Sequence, residues 1–311
     1  MKIVFLDRAT IGDDIKLDEF NSLGEVVIYD YSTPEQIPER IMNADVIVLN
    51  KMPVNESTIG KADKLKLVCV TATGTNNLDK DYLDKRNIAW RNVAGYSTEA
   101  VAQHTFALLF NLYEHLAYYD AYVKEEKYVD DRMFTHFEQH FNEISGKNWG
   151  IIGLGNIGRR VAQIATCFGA NVSYYSTSGN NNNSDYRRVD LDTLLTESDI
   201  VSIHAPLTDD TLHLIDKNAL DKMKSTAVLI NVGRGPIIVE KDLADALKER
   251  KIAAAGLDVL DVEPMLATNP LKDIKDSDRL LITPHIAWAA VEARTRLMHT
   301  IAGQIKEFFN I

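Results

Sequence analysis

Arg234, Glu263 and His285 stand at, or just past, the ends of three apolar runs in the second half of the chain. Arg234 follows Ile230–Val232 within Asn231-Val232-Gly233-Arg234-Gly235. Glu263 comes a few residues after Leu257-Asp258-Val259 and precedes Pro264. His285 follows Ile282-Thr283-Pro284. Taken singly they read as a surface arginine, a solvated glutamate and a helix-capping histidine. Taken together they make an acid–base pair beside an anion clamp. A carboxylate hydrogen-bonded to an imidazole favours the protonated ring, which can then give up a proton near neutral pH. A guanidinium can hold a carboxylate in bidentate geometry.

A second group of residues points to a ligand. Gly153-Leu154-Gly155-Asn156-Ile157-Gly158 spells G-x-G-x-x-G. That pattern alone is usually a loop. Here the apolar run Trp149–Ile152 precedes it, apolar residues at helical spacing follow (Val161, Ile164, Ala165, Phe168), and Asn171–Tyr175 reads as the next strand. Strand, glycine turn, helix and strand together read as a dinucleotide site. Gly153 allows the tight turn, Gly155 lets the backbone approach a pyrophosphate, and Gly158 lets helix and strand pack closely. The helix start offers free N–H groups and partial positive charge to the phosphates.

These residues need a scaffold, and the rest of the chain alternates accordingly. Strands are expected at Ile3–Leu6, Glu25–Tyr29, Asp45–Leu49, Leu67–Val70 and Ile88–Arg91, with helices at Leu17–Leu23, Pro34–Asn43, Ser57–Lys64 and Asp79–Arg86 between them. Later strands are expected at Ile200–His204, Ala227–Val232, Ala253–Val259 and Leu280–Thr283, with helices at Lys241–Arg250 and Ala289–Phe309. The last helix has Val291, Leu297, Ile301, Ile305 and Phe309 as its apolar positions. This alternation implies parallel sheets covered by helices. Thr73-Gly74-Thr75-Asn76-Asn77 lies at the carboxyl end of a strand, where such sheets place ligands, although by itself it reads as an ordinary turn. A long helix over Glu99–Tyr122 is apolar on nearly every side, so one side can face its own domain and the other a second subunit. Residues 128–146 read as irregular, and Asn180–Asn183 as a surface loop.

A length of 311 residues suggests two domains. The net charge of −11 argues against a nucleic-acid surface. Cys69 and Cys167 each sit in an apolar run and read as buried free thiols, not as a metal site. No apolar run is long enough to span a membrane, and the charged start of the chain does not read as a signal peptide. A cytoplasmic protein is expected.

With these motifs in place, the sequence resembles the D-isomer-specific 2-hydroxyacid dehydrogenases nearly end to end. Four stretches carry the likeness: Gly153–Gly158, Asn231–Gly235, Gly256-Leu257-Asp258-Val259 with Glu263-Pro264, and Thr283-Pro284-His285-Ile286-Ala287-Trp288. The resemblance implies an α/β protein with two doubly wound parallel-sheet domains. A Rossmann cofactor domain (97–288) is inserted into a flavodoxin-like substrate domain (1–96 and 289–311). It also implies a homodimer formed through the helix near residues 99–122, binding neither nucleic acid nor membrane. The family's catalytic trio falls on Arg234, Glu263 and His285. Its substrate-carboxylate loop falls on Thr73, Gly74 and Thr75, which would act with Arg234. Cofactor contacts fall on Gly153, Gly155, Asn156, Ile157, Gly158, Ser176, Thr177, Pro206, Thr211, Val232 and Asp258. Trp288 either walls the substrate pocket or packs at the start of the last helix.

Among subgroups the sequence is most similar to bacterial glycerate dehydrogenases, also called hydroxypyruvate reductases, on Gly95–Glu99 and His285–Trp288. That resemblance implies reduction of hydroxypyruvate or glyoxylate. Lactate or phosphoglycerate dehydrogenases remain alternatives, though the chain is too short for the regulatory domain of long phosphoglycerate dehydrogenases. Glutamate at 263 argues against formate dehydrogenases, which pair the histidine with glutamine. The C-terminal-binding-protein corepressors share the trio, so a nucleotide-sensing interaction protein is the reading from another class. The cofactor is NAD or NADP. An acid usually ends the second strand of an NAD site, but here Ser176, then Thr177 and Ser178, take its place. The carboxylate that would repel a 2′-phosphate is missing, so both cofactors are expected to be accepted. Arg187 and Arg188 could reach that end only if the loop before them folds over.

Overall fold

The computed structural model describes residues 1–129, 131–276 and 278–311. Residue 130, in the stretch expected to be irregular, lies outside them. The chain divides into two compact units, Met1–Ser97 with Ala289–Ile311, and Thr98–Trp288.

In the first unit, strands β1 (Lys2–Phe5), β2 (Glu25–Ile28), β3 (Val46–Leu49), β4 (Leu67–Val70) and β5 (Ala89–Arg91) alternate with helices α1 (Asp18–Asn21), α2 (Ile37–Arg40), α3 (Glu56–Ile59) and α4 (Lys80–Lys85). The strands form one parallel sheet in the order β2-β1-β3-β4-β5, the flavodoxin-like order. β3 (Val-Ile-Val-Leu) and β4 (Leu-Val-Cys-Val) are buried along their whole length, as strands covered on both faces must be. Local signals set the helix starts. The Asn55 side chain accepts from the Ser57 and Thr58 amides at α3, and Asp79 accepts from the Tyr82 amide at α4. The short helices are about one turn each, shorter than their polar–apolar patterns suggested. The chain's last helix closes on this unit: Arg294 holds the Asp14 carboxylate with both terminal nitrogens, at 2.5 and 2.9 Å, and Gln304 donates to the Asn92 carbonyl.

The second unit begins with α5 (Thr98–Glu114) and α6 (Leu116–Lys124). Strands β6 (Asn148–Ile152), β7 (Asn171–Tyr175), β8 (Arg187–Arg188), β9 (Ile200–Ile203), β10 (Val228–Asn231), β11 (Ala254–Leu257) and β12 (Leu280–Ile282) follow, with α7 (Asn156–Cys167), α8 (Leu191–Glu197), α9 (Lys217–Lys222) and α10 (Glu240–Lys248) between them. The final helix of the chain, in the first unit, is α11 (Val291–Phe309). The order β12-β11-β10-β9-β6-β7-β8 is a Rossmann sheet with one further parallel strand. Its two faces carry separate cores. One packs α5 and α7 around Trp149 and Tyr174, and the other packs α8, α9 and α10 around Leu194, Leu220 and Leu243. Trp149 is fully buried, so its indole N–H needs a partner; Ser202 Oγ accepts it at 2.9 Å.

Several expectations need correction. The helix over 99–122 is two helices, broken at His115, which adopts a left-handed conformation (φ +50°). The apolar residues of α5 are largely buried within their own unit (Val101, Phe106, Leu108, Leu109, Leu112). The apolar surface left uncovered starts later, at Leu116 and Val123, and continues through Val129, Met133, Phe134, Phe137 and Phe141. Cys69 is buried, but Cys167 is exposed, because the last turn of α7 rolls it to the solvent side. Phe168 and Val291 are also exposed, the first lying across Phe106 and Phe110 at the surface. Among the described residues no helix is long and apolar enough to cross a membrane, and no cluster of His, Cys, Asp or Glu is arranged to hold a metal ion.

Candidate active site

Three neighbouring strands of the second unit, β10, β11 and β12, end side by side, and the loops leaving them carry Arg234, Glu263 and His285. His285 Nδ1 lies 2.7 Å from Glu263 Oε2, and both side chains are partly open to solvent, at 26% and 32%. The other carboxylate oxygen of Glu263 accepts from the Leu260 amide at 3.0 Å, which fixes the carboxylate's orientation. With Nδ1 engaged, Nε2 is the nitrogen left to face a reactant.

Arg234 sits on a turn locked by the buried Asn231, whose side chain accepts from the Gly233 amide and donates to the Arg234 carbonyl. The Arg234 guanidinium donates to the Gly233 carbonyl at 2.8 Å. The next residue must be glycine: a Cβ on Gly235 would fall 1.9 Å from the Leu260 carbonyl group. That close approach packs the Arg234 turn directly on the loop that leads to Glu263.

His285 is held by Asp258. This aspartate is 1% exposed and accepts from the Ile286 amide (2.9 Å), the Ala287 amide (2.8 Å) and the Thr283 hydroxyl (2.6 Å). His104 of α5 joins the network, its Nε2 lying 2.9 Å from Thr283 Oγ1. Sequence reading places Asp258 among the cofactor contacts; in the structure its carboxylate is engaged by the Thr283 side chain before the catalytic candidate and by two backbone amides after it. His285 itself has φ +56°, a conformation that costs a non-glycine residue energy and that this clamp maintains. Sequence reading missed the bracing roles of Asn231 and His104. The signals were there: a polar residue ending a buried strand, and a histidine inside an otherwise apolar helix.

The glycine turn has the expected shape. Gly153 has φ +91°, and a Cβ there would meet Ala205 backbone atoms at 2.9 Å. A Cβ on Gly158 would strike the Gly153 carbonyl at 2.2 Å. A Cβ on Gly155, at the start of α7, would meet nothing within 4 Å. The space that a pyrophosphate needs is therefore open where Gly155, Asn156 and Ile157 present the helix start. Thr211 is buried; its hydroxyl accepts from the Thr208 amide and donates to the Pro206 carbonyl, so it shapes the loop after β9. Ser176 directly follows β7 and is buried, Thr177 comes next, and Val232 lies 9% exposed after β10. Trp288 packs partly buried against the α5–α7 core. In the first unit, Thr73 donates its hydroxyl to the Val93 carbonyl, and Asn92 holds the Thr73 carbonyl, so the loop Thr73-Gly74-Thr75 is anchored at the carboxyl end of β4.

A family model described as "D-isomer specific 2-hydroxyacid dehydrogenase, NAD binding domain" matches residues 106–287. The chain belongs to the D-isomer specific 2-hydroxyacid dehydrogenase family. Among curated relatives, it is 37% identical to a hydroxypyruvate reductase of Blautia hydrogenotrophica, over 99% of this chain and 97% of that protein. It is 35% identical to a glycerate dehydrogenase of Methylorubrum extorquens, over 99% and 96%. Among solved structures, it superimposes with a TM-score of 0.88 on an acyclic imino acid reductase in complex with NADPH and D-Arg, at 29% identity and covering 100% and 97% of the two chains. The dehydrogenase is thus an oxidoreductase acting on a CH–OH group, with NAD or NADP as its cofactor.

His204, at the end of β9, sets a pH limit on this unit. Ser202 Oγ lies 3.0 Å from its Nε2 and already accepts the Trp149 N–H, so the hydroxyl proton is free to bond Nε2. Nδ1 is buried without a hydrogen-bond partner among the described residues. Burial pushes the ring's pKa down from 6.5 to about 3. Below pH 6.5 the unfolded chain takes up a proton here that the folded chain refuses until about pH 3. Stability should therefore fall as pH drops through that window, by up to ~1.4 kcal/mol per pH unit from this residue. His204→Gln should flatten the slope of stability against pH between 6.5 and 4 in denaturant titrations. An unchanged slope would show that His204 titrates normally.

Proposed function

We propose that the dehydrogenase reduces a small 2-keto acid, hydroxypyruvate or glyoxylate, to D-glycerate or glycolate. The observation that carries this reading is the 2.7 Å contact between His285 and Glu263 on loops leaving adjacent strands. The 37% and 35% identical relatives named hydroxypyruvate reductase and glycerate dehydrogenase support the choice of substrate.

When bound, NAD(P)H supplies a hydride to the keto carbon. His285 donates a proton from Nε2 to the keto oxygen, while Glu263 holds Nδ1 and stabilises the charged ring. Arg234 binds the substrate carboxylate and polarises the neighbouring carbonyl; the backbone N–H groups of Thr73, Gly74 and Thr75 belong to the same reading. Asp258 acts through the backbone, keeping His285 at one place in the site. Gly153, Gly155, Asn156, Ile157 and Gly158 receive the pyrophosphate; Ser176, Thr177, Pro206, Thr211 and Val232 line the rest of the dinucleotide path. The test is a panel of 2-keto acids assayed with NADH and NADPH. Hydroxypyruvate or glyoxylate should give the highest kcat/KM, above pyruvate and branched 2-keto acids. Preference for a branched acid would overturn the substrate assignment, and nucleotide binding without any turnover would favour an interaction module.

The enzyme is read as a homodimer working in the cytoplasm, where the reduced nicotinamide pool is. Support for the dimer comes from α6, none of whose residues is buried, and from the exposed Phe134, Phe137 and Phe141 that follow it. Sedimentation should give twice the 34.9 kDa chain mass. A monomer at micromolar concentration would refute it.

A further inference from the structure

The acid missing from the end of β7 leaves the cofactor choice to other residues, and the fold supplies them. Within residues 179–183, Asn181 ties the loop back to the end of β7 and to the glycine turn. The Asn181 amide donates to Ser176 Oγ, and its side chain donates to the Leu154 carbonyl inside the glycine turn at 2.6 Å. The Tyr174 hydroxyl bonds the carbonyls of Asn181 and Asn183. Folding the loop back brings the chain alongside β7 again as the two-residue strand β8, in register Ser173↔Arg187 and Tyr174↔Arg188. The result is a cavity of about 620 Å³ lined by Tyr175, Ser176, Arg187, Arg188, Asp190 and Thr193, among others.

The charges in this cavity are not equivalent. Arg187 is paired with Glu197 at 2.8 Å. Asp190 is spent on the start of α8, accepting from the Thr193 amide and hydroxyl at 2.8 Å each. Arg188 bonds only neutral acceptors, Asn182 Oδ1 at 2.5 Å and the Gly179 carbonyl at 2.9 Å. It is thus the cation in this lining that no carboxylate balances among the described residues. Both of its partners lie on the folded loop, and these two bonds turn the guanidinium toward the loop that follows β7. A cationic fork of donors lining the same pocket as Ser176 suits a dianionic phosphate ester better than a neutral ribose hydroxyl.

We propose that Arg188, with Ser176, forms a 2′-phosphate subsite that makes this dehydrogenase prefer NADP(H) over NAD(H). The inference rests on the dinucleotide site read above. It uses an arginine delivered by the loop's return strand, where the residues directly after β7 are only Ser176, Thr177 and Ser178.

The test is nucleotide binding to the full-length protein by calorimetry, without substrate, using 2′,5′-ADP and 5′-AMP as probes. The wild type should bind 2′,5′-ADP ~10–100-fold more tightly, the scale of one or two charge-assisted bonds. The advantage should shrink as salt rises. Arg188→Gln keeps an amide able to bond the loop but removes the charge; it should lose most of the 2′,5′-ADP affinity and leave 5′-AMP unaffected. Equal affinity of the wild type for the two probes would overturn the inference while leaving the dinucleotide site in place. An equal loss for both probes in Arg188→Gln would reduce Arg188 to a loop brace and also overturn it. Binding of neither probe would overturn both the inference and the site it rests on.

Discussion

Replacing His285 should lower kcat by at least ~10²-fold, the usual scale of a lost general acid. Asparagine is the cleaner substitute. Position 285 has φ +56°, and asparagine tolerates that region better than alanine, so His285→Asn removes the proton donor with less backbone strain. Because Asp258 holds Ile286 and Ala287 through their backbone amides, the loop has no reason to move when the ring is lost. Cofactor binding should therefore survive while turnover collapses. Arg234→Ala should behave differently, raising KM as well as lowering kcat, since a carboxylate clamp serves both binding and orientation. Near-normal kcat in His285→Asn would mean that another group delivers the proton.

Asp258→Ala should be the most damaging single change to the folded state outside the hydrophobic core. It removes a carboxylate that is 1% exposed and leaves two amide donors and one hydroxyl without their charged acceptor, the Ala287 amide in a buried place. A loss of ~3 kcal/mol or more is expected in denaturant unfolding, with kcat falling as well because the His285 loop is freed. Asp258→Asn should be intermediate, since one oxygen still accepts while the new NH₂ faces N–H donors. Wild-type stability in Asp258→Ala would show that the clamp does not hold the loop.

Periodicity made the two sheets legible, because buried parallel strands are short apolar runs and each ends in a polar or glycine-bearing turn. β4 and β7 lie where those runs lie. The catalytic candidates were legible for the same reason: the ends of parallel strands form one edge, so Arg234, Glu263 and His285 could be placed together before any distance was known. The break at His115 left no such trace, since neither glycine nor proline marks it and Leu116–Lys124 continues a helical pattern. β8 was invisible because two arginines pair with β7 only once the asparagine loop has folded back, an arrangement set by Tyr174 and Leu154 far from it in sequence. The bonds from the Asp258 carboxylate to Thr283, Ile286 and Ala287 were not legible, because a motif names a position without saying which way its side chain turns.

The most direct measurement is the reduction of hydroxypyruvate by the wild-type enzyme with NADPH and NADH, followed by analysis of the configuration of the glycerate formed. The account predicts consumption of the reduced cofactor and D-glycerate as product, with His285→Asn inactive under the same conditions. No consumption with any small 2-keto acid, or L-glycerate as the product, would contradict it.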